Sequence, residues 1–143
     1  MGRWLSIDYG SKRIGLAITD QLQMFVMPFT TILNKSDEFV FESLLTIIKE
    51  QDISKIIIGL PIGLEGNDTF KTKEVREFSE KISTQIKTEV TLFDERFSTH
   101  DANDFLKEKK ITWKESRKIV DQIAAAVILR NYLSMTKIKE RYG

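Results

Sequence analysis

There is no cysteine in this chain of 143 residues, and histidine occurs once, as His100. Without a thiol there is no disulfide framework, no thiolate zinc site and no cysteine nucleophile. A single imidazole cannot build a histidine metal cluster. Charge of one sign is lacking too: 22 Lys and Arg stand against 21 Asp and Glu, a formal net charge of +1. The whole-molecule field therefore does not advertise a polyanionic partner, and any nucleic-acid surface must be local. No apolar run approaches the roughly 20 residues of a membrane span, and Met1 leads at once into the strand-like Trp4-Leu5-Ser6-Ile7 rather than into a leader segment. The expectation is a soluble cytoplasmic protein. Internal repeats and low-complexity segments are absent as well, and 143 residues with 41% hydrophobic content supply chain for one sizeable core and not two. One domain over residues 1–143 is expected.

What is present is a run of alternating elements. Residues 3–9 and 13–20 are β-rich stretches joined by Gly10-Ser11-Lys12, which reads as a hairpin, and Phe25 to Leu33 supplies a third strand. Ser36-Asp37 is an N-cap for a helix in which Val40, Leu44, Ile47 and Ile48 recur at helical spacing up to Glu50. Lys55-Ile56-Ile57-Ile58-Gly59 has the unbroken apolar character of a strand buried on both faces, and Gly59-Leu60-Pro61 breaks it. Gly63 to Asn67 is loop, and Val75, Phe78, Ile82 and Ile86 mark a second helix starting near Asp68 or Thr69. A strand Val90-Thr91-Leu92-Phe93 follows. Ser98-Thr99-His100-Asp101 resembles a capping box opening a third helix through Leu106. Val120, Ile123, Ala124, Val127 and Ile128 form the stripe of a last helix, which starts near Val120 or earlier, around Trp113 to Ser116. Beyond it the basic tail from Lys137 is expected to fray. An antiparallel start feeding two strand–helix–strand crossovers implies a mixed five-stranded α/β sheet with helices on both faces.

Three acids stand where chemistry is expected. Asp8 ends the first strand, with Lys12 and Arg13 on the turn behind it. Phe93-Asp94-Glu95-Arg96 ends a buried strand parallel to the first, so both open on the edge of the sheet where ligands of α/β proteins bind. Asp121 precedes the apolar run Ile123 to Leu129, where a carboxylate is costly unless it is paired or metal-bound. Each has a bland alternative: a turn former for Asp8, an ion pair with Arg96 for Glu95, a first-turn acid favoured by the helix dipole for Asp121. Three carboxylates that converge without histidine or cysteine would select Mg²⁺ or Mn²⁺. Such a site suits phosphodiester hydrolysis with no nucleophilic side chain. Lys12, Arg13, Lys71, Lys73, Arg76 and Arg96 would supply a local phosphate-binding surface. Trp113, Tyr132 and His100 read as packing or capping residues.

Four segments in order, Ile7 to Ala17, Ile58-Gly59-Leu60-Pro61 with Gly66, Asp94 to Thr99 and Asp121 to Leu129, together resemble the YqgF (RuvX) family. These are Holliday-junction-resolvase-like proteins also described as pre-16S ribosomal RNA nucleases. The resemblance implies a ribonuclease H-like fold, with Asp8, Glu95 and Asp121 as catalytic, metal-binding acids and Arg13 and Arg96 at positions that contact substrate phosphate. Thr19-Asp20, Phe97-Ser98-Thr99 and Ala126 depart slightly from the family pattern, and none of these departures touches the three acids.

The expected function is a metal-dependent nuclease maturing the 5′ end of pre-16S ribosomal RNA, with ribosomal precursor particles as partners. A resolvase of four-way DNA junctions is the alternative within the same chemistry. A resolvase needs two active sites, and the small near-neutral surface points to a monomer or weak homodimer. A nucleotide-binding module of the actin and sugar-kinase kind, or a catalytically silent RNA-binding protein, stands outside it.

Overall fold

The run Ile56-Ile57-Ile58 has no polar face to offer solvent, and in the computed structural model, which describes residues 2–142, it occupies the interior of the sheet. Three strands precede it: β1 (Arg3–Asp8), β2 (Arg13–Thr19) and β3 (Val26–Leu33). The helix α1 (Asp37–Glu50) leads to β4 (Ile53–Leu60), and α2 (Phe70–Gln85) leads to β5 (Glu89–Asp94). A 3-10 turn at Glu95–Phe97 is followed by α3 (Ala102–Lys109), α4 (Trp113–Lys118) and α5 (Val120–Tyr142). The strands lie in the order β3-β2-β1-β4-β5, with β1, β4 and β5 parallel and the β1–β2–β3 hairpins antiparallel. This is the expected mixed five-stranded sheet.

Alternation along the strands sorts the core into two layers. Leu5, Ile7, Ile56, Ile58 and Leu60 pack with Val40 and Leu44 of α1 and Val75, Phe78 and Ile82 of α2. Ile57 and Phe93 point the other way, against Phe105 of α3 and Ile123, Ala125, Ile128 and Leu129 of α5. Each Val, Leu, Ile or Phe side chain among these stabilises the fold by about 1.5–3 kcal/mol when fully buried. Ser6 faces α5 as well, and its hydroxyl donates to the Ala125 carbonyl at 2.6 Å. A small polar side chain at that point lets the helix backbone approach the sheet. No helix among the described residues is long and apolar enough to cross a membrane.

Four features differ from the expectation: the start of β3, the cap of α3, the buried face of α5 and the tail. β3 begins at Val26 rather than Phe25, because the Asp20 carboxylate accepts from the backbone N–H groups of Met24 and Phe25 and closes a turn there. The cap of α3 is Asp101, paired reciprocally with Asp104, and not Ser98. The Thr99 and His100 N–H groups are instead taken by the Asn131 side chain of α5. Both starts expected for the last helix are used, since α4 begins at Trp113 and ends with a change of direction at Ile119, and α5 begins at Val120. Its buried face is turned from the expected stripe, with Ala125, Ala126 and Leu129 inside and Ala124 and Val127 only half-buried. Finally, the basic tail does not fray, since α5 continues in helix to Tyr142.

Candidate active site

The site is built where three parallel strands stop. Ile7 pairs with Ile58, and Leu60 with Asp94, so Asp8, the end of β4 and the start of the Glu95 turn reach one edge together. Two glycines then let side chains from outside the sheet close on that edge. Gly15 lies opposite Asp8 across the hairpin, and a Cβ there would overlap the Asp121 carbonyl, so the first turn of α5 rests directly on β2. At Gly59 a Cβ would come within 2.5 Å of Ile128 Cδ1 and 3.3 Å of the Glu95 carboxyl carbon. Glu95 therefore folds back over β4 toward Asp8.

The charges in this crevice are not balanced by hydrogen bonds. Burial raises the pKa of Asp8 above the usual carboxylate range; the nearby Lys71 opposes that rise and Asp121 adds to it. Glu95 is pushed up to about 7, chiefly by burial, then by the negative charge of Asp8, against the pull of Lys71. Lys71 stands in the first turn of α2 with its ammonium 5.4 Å from the centre of the Tyr9 ring. It is the cation that faces both acids. In the sequence it stands among six surface cations, and what marks it is its place, just beyond the loop that follows β4 on the same edge as the acids.

Asp121 is brought beside Asp8, but its carboxylate accepts from Arg13 Nε at 3.0 Å. Among the described residues no group of three His, Cys, Asp or Glu side chains is drawn together closely enough to hold a metal ion. Asp8 thus lies between two acids, and the third corner is tied to arginine. Arg96 is also engaged: its guanidinium contacts Asp94 at 2.6 Å and holds that carboxyl below its ordinary range. Arg76 is paired with Asp68 at 3.0 Å, while Lys12 and Lys73 are exposed. The two glycines and the Arg13–Asp121 pair were not singled out from sequence for these contacts, since each depends on where α5 crosses the sheet.

Comparison with known proteins identifies a family and a fold. The family model described as RuvX, Holliday junction resolvase, matches residues 2–135. A protein of Endomicrobium trichonymphae is 42% identical over 136 residues, 94% of this chain and 97% of its own length. One of Maridesulfovibrio salexigens is 38% identical over 130 residues, 91% of this chain and 96% of its own. Both are provisionally named pre-16S rRNA nuclease. Among solved structures, Thermus thermophilus RuvC in complex with a Holliday junction substrate superposes with a TM-score of 0.59 at 11% identity, covering 96% of each chain. That likeness shows the fold, which is ribonuclease H-like.

Proposed function

The chain belongs to the RuvX family, and we propose that it is a metal-dependent nuclease that hydrolyses phosphodiester bonds in maturing the 5′ end of pre-16S ribosomal RNA. The observation that carries this reading is the pair Asp8 and Glu95, two half-buried carboxylates at the C-terminal edge of parallel strands, both raised in pKa by burial and by neighbouring acids. Excess negative charge held out of water calls for a cation. The RNA substrate is supported by relatives of that provisional name matching more than nine-tenths of this chain.

A hard divalent ion, Mg²⁺ or Mn²⁺, fits this donor set. Neither carboxylate accepts a hydrogen bond from a described residue, and the donors are all oxygens. Asp8 and Glu95 would hold the ion, and Asp121 would join them on leaving Arg13. When bound, such an ion lowers the pKa of an attacking water and stabilises charge on the leaving oxygen. The chain's own residues do the rest. The Lys71 ammonium meets a non-bridging phosphate oxygen, and Lys12 and Arg13 bind the flanking backbone as charges without reading bases. A phosphate at Arg13 competes with Asp121 for the same guanidinium, so substrate entry frees the third acid. Glu95, whose pKa is pushed up to about 7 in the unloaded site, would give up its proton as the ion binds.

The test is incubation of the purified protein with a pre-16S RNA precursor and with a four-way DNA junction, each with and without Mn²⁺. Ion-dependent cutting of the RNA is expected. Cutting of the junction alone moves the reading to a resolvase, and no cutting of either rules the nuclease reading out.

A further inference from the structure

Next to the acids, on the far side of the Glu95 turn, lies a crevice of about 290 Å³ whose lining includes Phe97, Asn131, Met135, Ile138 and Lys139. Phe97 is 64% exposed and Ile138 59% exposed, so an aromatic face and an aliphatic side chain stand open to solvent across it. The turn that carries Phe97 is braced at both ends. Asp94 accepts from the Arg96 backbone and chelates its guanidinium, and Asn131, 1% exposed, accepts from Thr99 N–H and His100 N–H at 2.9 and 2.8 Å. The Asn131 amide donates in return to the His100 and Val127 carbonyls, each at 3.0 Å. An exposed ring on a rigid turn loses little freedom when something stacks on it.

We propose that this crevice receives an unpaired nucleobase of the strand being cut, stacked on Phe97, so that the enzyme takes single-stranded rather than base-paired substrate at the scissile step. The proposal rests on the nuclease reading and names the substrate class for the same site. Three observations choose this occupant. The first is distance: the Glu95 carboxyl and Ile128 meet over Gly59, and Asn131 and Met135 lie three and seven residues further along α5, about 5 and 10 Å at the helical rise. That is the reach of a nucleotide or two. The second is size, since about 290 Å³ falls just under the roughly 300–1,000 Å³ range of drug-sized pockets and suits one flat ring system. The third is charge: Lys139 lines the crevice, on helix where a frayed tail was expected. Its ammonium can face a phosphate backbone. In a continuous duplex the base stays in its stack and its face is closed to Phe97.

The experiment uses a short RNA single strand carrying 2-aminopurine, and the same strand fully paired with its complement, both titrated with intact protein in chelator so that no cleavage occurs. Wild type is expected to bind the single strand more tightly than the duplex and to quench its fluorescence. Phe97→Ala should weaken single-strand binding about tenfold, within the range for one base–aromatic stack, and abolish the quench, while Phe97→Trp retains both. Single-strand affinity unchanged in Phe97→Ala overturns the proposal and leaves the nuclease reading standing. So does a concentration-dependent dimer in sedimentation that only Phe97→Ala dissolves, because the crevice would then be an interface between copies. If wild type binds neither probe, the nuclease reading falls and this proposal with it.

Discussion

Asn131 and Glu95 lie on neighbouring elements, one on α5 and the other on the turn that α5 holds, and they treat polar atoms in opposite ways. The Asn131 amide is buried with four strong hydrogen bonds to the backbone of residues 99, 100 and 127, so every donor and acceptor is used for stability. The Glu95 carboxyl is half-buried, faces another acid, and accepts no hydrogen bond from a described residue. A fold that can satisfy an amide so fully has the means to satisfy a carboxylate beside it. Short of partners, Glu95 and Asp8 are open to the cation and the substrate that the proposed nuclease activity calls for. The amide also braces the acidic cluster, because Asn131 holds the end of the turn on which Glu95 and Phe97 are mounted.

The contrast is sharpest in activity. Asp8→Asn and Glu95→Gln are each expected to lower Mn²⁺-dependent cleavage by about 10²–10⁴-fold, with an unchanged circular dichroism spectrum. Asn131→Ala touches no reacting group, and its first effect should be on unfolding. Leaving buried N–H and C=O groups unpaired costs about 1–3 kcal/mol each where water cannot reach them, so a loss of about 3 kcal/mol is expected in urea denaturation. If Asn131→Ala unfolds at the wild-type midpoint while Glu95→Gln falls apart, the two clusters have been assigned the wrong way round.

The smallest effect concerns pH. Glu95 has its folded pKa raised from 4.5 to about 7, so the stability it allows is fully present below pH 4.5 and is lost as pH rises through 7, where the native state must carry a charge the unfolded chain carries freely. Asp8 acts in the same direction. In chelator, Glu95→Gln should therefore melt above wild type at pH 8 by about 1 kcal/mol, allowing for solvent screening of a partly exposed group, and should match it near pH 4.5. Parallel melting curves across that window would show that the crevice does not strain its carboxylates.

Much of this was readable along the chain because it is local. Apolar runs and alternation mark β1, β4 and β5, and an acid directly after such a run must lie at a strand end, which is how Asp8 and Glu95 could be found. The cap of α1 at Ser36 is likewise a matter of neighbours, its hydroxyl accepting from Phe39 N–H. Asp121 was legible as an acid beside a buried face, but its partner was not, since Arg13 is 108 positions away. The break at Ile119 and the turned face of α5 were hidden for a related reason. Hydrophobic periodicity gives a stripe, and which part of a wide stripe is buried depends on the surface it meets.

Backbone propensity and side-chain alternation act over a few residues, so the strands, their order and the acids at their ends could be read along the chain. That Lys71 faces both acids, that Arg13 holds Asp121 and that Asn131 braces the turn beneath Phe97 emerges from the packing of the fold. Those contacts follow from where α2 and α5 lie on the sheet, and for α5 that is set by close approach at Ser6, Gly15 and Gly59. Charge and hydrogen bonding act over a few ångströms, and those ångströms join residues that the chain keeps far apart.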